Sequence, residues 1–139
     1  MIDKRERVFQ AFGGFLSHFV RDLNHRSDDG WALLVEGVRD ERALRALGYA
    51  GRLTTVSSVS RMGRRAFGGC SKVVILTDLD REGGVLAARY MKRLAHEGIR
   101  PSLAERRRLK AASKGVFLHV ENLSRFAAEP EMETEAKSL

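Results

Sequence analysis

Three carboxylates follow one apolar segment of the chain at close spacing. Asp78, Asp80 and Glu82 come directly after the segment 72–77, and a pair of glycines follows them. Like charges this close repel, so each must be solvated, hydrogen-bonded or neutralised. A hard divalent cation is the natural counter-charge, because Mg²⁺ takes oxygen ligands from one or two carboxylates and completes its shell with substrate phosphates. We therefore predict a magnesium site, with Mn²⁺ as the alternative ion, and phosphate chemistry.

A further carboxylate, Glu36, ends a second apolar segment, 31–36. Burial at the end of an apolar strand raises the pKa of a carboxyl group, which suits general acid or base catalysis. If segments 31–36 and 72–77 are neighbouring parallel strands, their carboxyl ends meet at one edge of the sheet. Glu36 then faces Asp78 and Asp80 across that edge.

The acidic segment also has a purely structural interpretation. Asp80 can cap the following helix, and Glu82 then lies near the positive end of the helix dipole. In the catalytic interpretation Gly83 lets the backbone approach a ligand closely, and Arg81 contacts a phosphate oxygen. The combination with Glu36 favours the metal site over a cap alone.

Short apolar runs alternate along the chain with segments whose apolar residues recur at helical spacing, which predicts an α/β fold. We expect an open, mainly parallel four-stranded sheet with helices on both faces. Strands are predicted at 31–36, 53–56, 72–77 and 116–120. Helices are predicted at 3–25, at 40–47, within 57–67, at 82–96 and at 102–112. In helix 82–96 the residues available for the inner side are Val85, Leu86, Ala88, Tyr90, Met91 and Leu94.

Composition divides the chain into three regions. Residues 1–27 form an amphipathic helix that we expect to pack on the domain, and residues 28–126 form the α/β domain itself. Residues 127–139 contain four glutamates and few apolar side chains, so we predict a disordered acidic tail.

The charge balance favours a polyanionic partner. The 139 residues carry a formal net charge of +7, with a pI of about 10.2, and nucleic acid is the first candidate. The residues we expect to contact it are Arg61, Arg64, Arg65, Arg81, Arg89, Lys92 and Arg93. The single cysteine excludes an internal disulfide and a multi-cysteine zinc site. No signal peptide or membrane-length apolar run is visible, so we expect a cytoplasmic protein with no membrane contact.

Two segments of the chain, 35–44 and 77–83, together resemble the Toprim domain. The first contains Glu36-Gly37 after a predicted strand, and the second contains Asp78-Leu-Asp80 after another. Asp-Leu-Asp-Arg-Glu-Gly is similar to the motif of type IA topoisomerases, and 115–123 is similar to the closing strand of the ribonuclease M5 Toprim domain. In size and layout the chain resembles the small single-domain Toprim proteins of archaea.

The resemblance implies a role for each matching residue. Glu36 would act as general acid or base, and Asp78 and Asp80 would bind Mg²⁺ together with Glu82. Gly37, Asp40 and Gly83 would be structural, with Asp40 in helix capping or an ion pair.

Two functions follow as hypotheses. The first is a Mg²⁺-dependent endonuclease or phosphodiester transferase, in the manner of ribonuclease M5 in RNA processing. The second is a non-catalytic nucleic-acid-binding or assembly module of DNA repair, recombination or replication, working with a protein partner or as a homodimer. A topoisomerase is disfavoured, because Tyr49 and Tyr90 lie in segments that predict core packing or a helix surface.

Overall fold

The computed structural model describes residues 3–127, so the predicted tail at 127–139 lies outside the described residues except for Ala127. The helices are α1 (Lys4–Asp28), α2 (Val38–Ala46), α3 (Val56–Met62), α4 (Arg81–His96) and α5 (Ala104–Ser113). The strands are β1 (Trp31–Val35), β2 (Leu53–Thr55), β3 (Lys72–Ile75) and β4 (Arg100–Ser102). Two 3₁₀ segments are also found in the described residues, Gly63–Phe67 and Val120–Phe126. Within residues 3–127 no helix has both the length and the apolar character needed to cross a bilayer.

The four strands form one parallel sheet in the order β2-β1-β3-β4. The predicted fold class is therefore confirmed. β1 and β3 are neighbours, with Leu33 opposite Val74 and Leu34 opposite Ile75. Their carboxyl ends consequently lie side by side at one edge of the sheet.

The fourth strand is β4, and the prediction of a strand at 116–120 was wrong. β4 is three residues long with Pro101 at its centre, so it has almost no strand signal in the sequence. Proline is tolerated there because β4 lies at the edge of the sheet, where one side of the backbone has no partner strand. Segment 116–120 instead crosses the carboxyl end of β3, where Leu79 donates its backbone N–H to Leu118 O at 2.7 Å.

Helices cover both faces of the sheet because alternate strand residues point to opposite sides. On one face Trp31, Leu33 and Val35 pack in a core with residues of α1, α2 and α5. On the other face Ala32 and Leu34 pack in a core with residues of α3 and α4. β1 is buried on both sides, which explains its uninterrupted apolar sequence.

Helix α1 forms where its apolar stripe predicts it, and it continues through the two adjacent glycines. Asp3 caps its first turn by accepting the Glu6 N–H at 2.9 Å. Phe12, Leu16 and Phe19 are buried against the sheet. A side chain at Gly13 would press on the Phe126 ring, so the close approach of the 3₁₀ segment Val120–Phe126 accounts for a small residue there.

Helix α4 starts at Arg81 and buries a narrower face than predicted. Ala87, Tyr90 and Leu94 are buried, whereas Ala88 is exposed and Val85 is 56% exposed. The prediction of Val85 and Ala88 on the inner side was therefore wrong. The buried residues Gly83, Ala87, Tyr90 and Leu94 lie three or four positions apart on one face of the helix, and Val85 lies outside that face.

Candidate functional site

The carboxyl ends of β1 and β3 bring the predicted acidic residues together. Glu36 follows β1 and Asp78 lies just beyond β3, and the Asp78 backbone N–H donates to Glu36 Oε2 at 2.7 Å. Asp80 lies on the same loop as Asp78. We call Glu36, Asp78, Asp80 and His119 the acidic site, and His119 is described next.

His119 completes the acidic site from a distant part of the sequence. Its Nδ1 lies 3.4 Å from Asp78 Oδ2 and 3.8 Å from Asp80 Oδ2. Sequence reasoning missed this residue, because Leu118-His119-Val120 has the pattern of a strand and carries no local signal of a site.

One oxygen of each aspartate is held by the backbone, and the other faces His119. Asp78 Oδ1 accepts the Val120 N–H at 2.8 Å, and Asp80 Oδ1 accepts the Gly83 N–H at 2.7 Å as the N-cap of α4. These backbone hydrogen bonds use only the two Oδ1 atoms, so both Oδ2 atoms are available to bind a metal ion. The cap and the ligand interpretations of Asp80 are compatible in this geometry.

Arg106 is a buried cation beneath the loop that carries the two aspartates. It is 7% exposed, and its guanidinium donates to Asp78 O at 2.6 Å and to Thr77 O at 3.3 Å. It holds the loop by two backbone carbonyls and places a positive charge near the carboxylates of the acidic site. Sequence reasoning gave it no role, because it stands in a charge-dense helical segment, and its spacing with the buried Leu109 and Ser113 is the local sign of burial.

The titration properties of the acidic site follow from this geometry. Burial raises the pKa of Glu36, and the charge of Asp78 acts in the same direction, while the hydrogen bond from the Asp78 N–H opposes it. The hydrogen bond with Asp78 raises the pKa of His119. Burial lowers the pKa of Arg106, an effect opposed by Asp80, Glu36 and Asp78. Glu36 thus has the raised pKa of a group suited to proton transfer.

Three residues predicted to be structural shape the backbone around the site. Asp40 Oδ2 accepts the Gly37 N–H at 3.0 Å and closes the first turn of α2, and burial raises the pKa of Asp40. Gly83 packs so closely on the preceding loop that a Cβ would overlap the Asp78 carbonyl. Thr77 Oγ1 donates to Gly83 O at 2.7 Å, which fixes the start of α4 to the end of the sheet.

The remaining predicted residues lie around the site rather than in it. Glu82 is in the first turn of α4 and is exposed; it faces a cavity beside Glu36, with Arg81 and Arg89. Arg93 pairs at 3.4 Å with Glu97, which caps the C-terminal end of α4. The other predicted basic residues, all exposed, are Arg61, Arg64, Arg65 and Lys92. Among them Arg64 donates to Glu97 O at 3.1 Å, at the C-terminal end of α4.

The donor atoms of the acidic site fit a divalent cation. Within residues 3–127, Asp78, Asp80 and His119 form one set in which each residue offers a ligand atom within 4.8 Å of the others. Two ligands of one Mg²⁺ are at most about 4.2 Å apart, twice the metal–oxygen distance, so small side-chain movements close the set on one ion. The two carboxylates suit Mg²⁺ or Mn²⁺, whereas an imidazole nitrogen is a donor typical of transition metals rather than of Mg²⁺.

Fold and site together define an α/β protein with a parallel sheet and an acidic site at the carboxyl edge of its central strands. The chain belongs to the UPF0292 family. A UPF0292 protein of Methanosarcina barkeri is 30% identical over 121 residues, 86% of this chain and 85% of the relative. A UPF0292 protein of Methanosarcina acetivorans is 33% identical over 111 residues, 78% of this chain and 76% of the relative. No protein-family profile matches the chain.

A solved structure supports the same fold. A protein from Aquifex aeolicus superposes with a TM-score of 0.62 and 25% sequence identity, covering 76% of this chain and 95% of that protein. The names of these relatives state no reaction.

Proposed function

We propose that this protein is a cytoplasmic, Mg²⁺-dependent nuclease of the Toprim type, with Mn²⁺ as the alternative ion. Its chemistry would be phosphodiester cleavage or transfer on nucleic acid, with RNA processing in the manner of ribonuclease M5 as the leading form. The observation that carries the proposal is the convergence of Asp78, Asp80 and His119 beside Glu36 at the edge where two central parallel strands end. In open parallel sheets this edge is where ligands bind.

Each residue of the acidic site has a distinct role in this proposal. Asp78, Asp80 and His119 would hold the cation, which when bound supplies charge stabilisation to the phosphate oxygens. Glu36 would take or give the proton, since burial raises its pKa and the Asp78 N–H fixes its orientation. Arg106 would keep the loop in place from below, through its two carbonyl contacts.

The basic surface supports nucleic acid as the substrate. Arg81 and Arg89 lie on the exposed side of α4 next to Glu36, and Lys92 follows one turn later. Such side chains contact backbone phosphates and make binding weaken with salt.

A cleavage assay tests the proposal directly. Structured RNA, single-stranded DNA and duplex DNA are incubated with Mg²⁺ or Mn²⁺ and with wild-type protein, Glu36→Gln or Asp78→Asn. The matched control is Asp28→Asn, which removes the same charge from an exposed position at the end of α1. We expect metal-dependent cleavage that both site variants lose and the control retains. Cleavage unchanged in both site variants would rule out this assignment.

One observation favours the non-catalytic alternative as a second candidate. Both aspartates already have backbone partners, so the acidic site contributes to the fold without a metal. A nucleic-acid-binding or assembly module, acting with a protein partner or a second copy, would bind labelled RNA or DNA in a salt-sensitive way. It would show no turnover with either metal.

A further inference from the structure

A cavity of about 550 Å³ opens directly beside the acidic site. Glu36 is one of the residues that line it. The rest of its wall is a single face of α4, formed by residues one turn apart along the helix: Arg81, Glu82, Val85, Leu86 and Arg89. The cavity has the size range of small-molecule sites, and it shares Glu36 with the proposed catalytic centre.

Two of the residues that line this cavity, Val85 and Leu86, are apolar, and together they are called its floor. Val85 is 56% exposed, and Leu86 beside it is half-buried. A single exposed valine needs no explanation on its own. Here it lies with a second apolar side chain inside a cavity and between two arginines, so the floor offers a surface for the flat face of a base or for a sugar.

The two arginines around the floor form no ion pair within the part of the chain that the structure describes. Neither Arg81 nor Arg89 forms an ion pair with a carboxylate of residues 3–127, in contrast to Arg93, which pairs with Glu97. The two arginines are eight residues apart, about 12 Å along the helix at 1.5 Å per residue. They therefore place cations at the two ends of the apolar floor.

The carboxylates add a preference for hydrogen-bond donors. Glu36 and Glu82 accept hydrogen bonds when ionised, and such acceptors suit exocyclic amino groups of bases and the ribose 2′-hydroxyl. Phosphates are repelled from them and attracted to the arginines at the ends. The wall thus separates a position for a nucleoside from two positions for phosphates.

We propose that this cavity is a subsite for one unpaired nucleotide next to the phosphodiester held at the acidic site. A base inside a duplex is stacked and paired, so it cannot lay its face on Val85 and Leu86. The substrate is therefore a single strand, a loop or a bulge at this point. The inference rests on the proposed function and names the substrate class of the same site.

The test separates binding in the subsite from metal chemistry. Fluorescence anisotropy measures the binding of a short labelled oligoadenylate, and of the same strand in a blunt duplex with oligouridylate, in EDTA. Wild-type protein should prefer the single strand. Val85→Ser should weaken single-strand binding about fivefold, through loss of apolar contact. Its control is Val116→Ser, since Val116 is 59% exposed and lies away from this cavity.

A second pair of variants tests the cationic ends. Arg89→Ala should weaken binding about tenfold at low salt and reduce the slope of log affinity against log salt by about 1. Arg107→Ala removes the same charge from an exposed position on α5 and should stay within about twofold of wild type. Equal affinity for single strand and duplex, or Val85→Ser binding as tightly as Val116→Ser, would overturn the subsite.

The two proposals fail in different ways. If Asp78→Asn abolishes cleavage while Val85→Ser binds like its control, the enzyme stands and the subsite is wrong. If no metal-dependent cleavage exists but the Val85 and Arg89 variants lose single-strand binding, the surface binds unpaired nucleic acid without catalysis.

Discussion

Replacing Arg106 with methionine removes a buried cation while keeping most of the side chain's apolar stem. The variant loses the 2.6 Å hydrogen bond to Asp78 O and the longer one to Thr77 O. A hydrogen bond from a charged donor contributes about 1.5–3 kcal/mol, so the short bond and the longer, weaker one together predict a loss of about 3–4 kcal/mol. That is a large share of the 5–15 kcal/mol of a typical domain.

The loss should depend on pH, because the guanidinium also attracts Asp80, Glu36 and Asp78. Without Arg106, ionised carboxylates repel one another with less compensation, whereas protonated ones do not. We therefore expect a larger loss near pH 7 than near pH 4, where carboxyl groups take up protons.

Urea unfolding followed by circular dichroism at the two pH values measures both the loss of stability and its dependence on pH. Arg107→Met is the matched control, because Arg107 is the next residue of α5 and is exposed; it should change the free energy of unfolding by less than about 0.5 kcal/mol. A variant at Arg106 as stable as this control would refute the role of the buried cation. A loss of equal size at both pH values would refute its electrostatic part.

Three further predictions concern the loop and its side chains. Gly83→Ala should destabilise the fold by more than about 3 kcal/mol, since its Cβ overlaps a backbone carbonyl. Gly84→Ala meets only ordinary contacts and should stabilise α4 by up to about 1 kcal/mol. Equal unfolding midpoints for the two variants would contradict this packing. Burial raises the pKa of Glu36 above its ordinary 4.5, so the stability of the wild type falls as pH rises from 4.5 through the higher pKa of the folded state. Glu36→Gln lacks this loss, so its stability relative to wild type should grow with pH in urea titrations. A difference in the free energy of unfolding that does not change with pH would show that the carboxyl is not desolvated. His119→Asn should weaken Mn²⁺ binding at least tenfold by calorimetry, with the exposed His18→Asn unchanged; equal affinities would remove His119 from the ligand set.

The parts of the fold with strong local signals were predictable. β1 and β3 are apolar runs buried on both faces, and α4 follows a capping aspartate. Their order in a parallel sheet then placed Glu36 beside Asp78. These features depend on residues close together in sequence and on general rules of parallel sheets.

The missed features depend on contacts between distant residues. β4 is an edge strand of three residues, so its pairing with β3 decides its conformation rather than its own composition. His119 reaches Asp78 across 41 positions of sequence, and nothing beside it in the chain indicates that partner. Arg106 stands among three consecutive arginines, and only packing against the sheet shows which one is buried.

The central claim is that Asp78, Asp80 and His119 hold a divalent cation beside Glu36. The most direct measurement is anomalous diffraction from crystals of the protein soaked in Mn²⁺. We predict an anomalous peak within about 2.0–2.4 Å of both free aspartate oxygens and of a His119 ring nitrogen, absent in Asp78→Asn crystals treated in the same way. Fully soaked crystals with His119 still against the two aspartates and no peak between them would contradict the account.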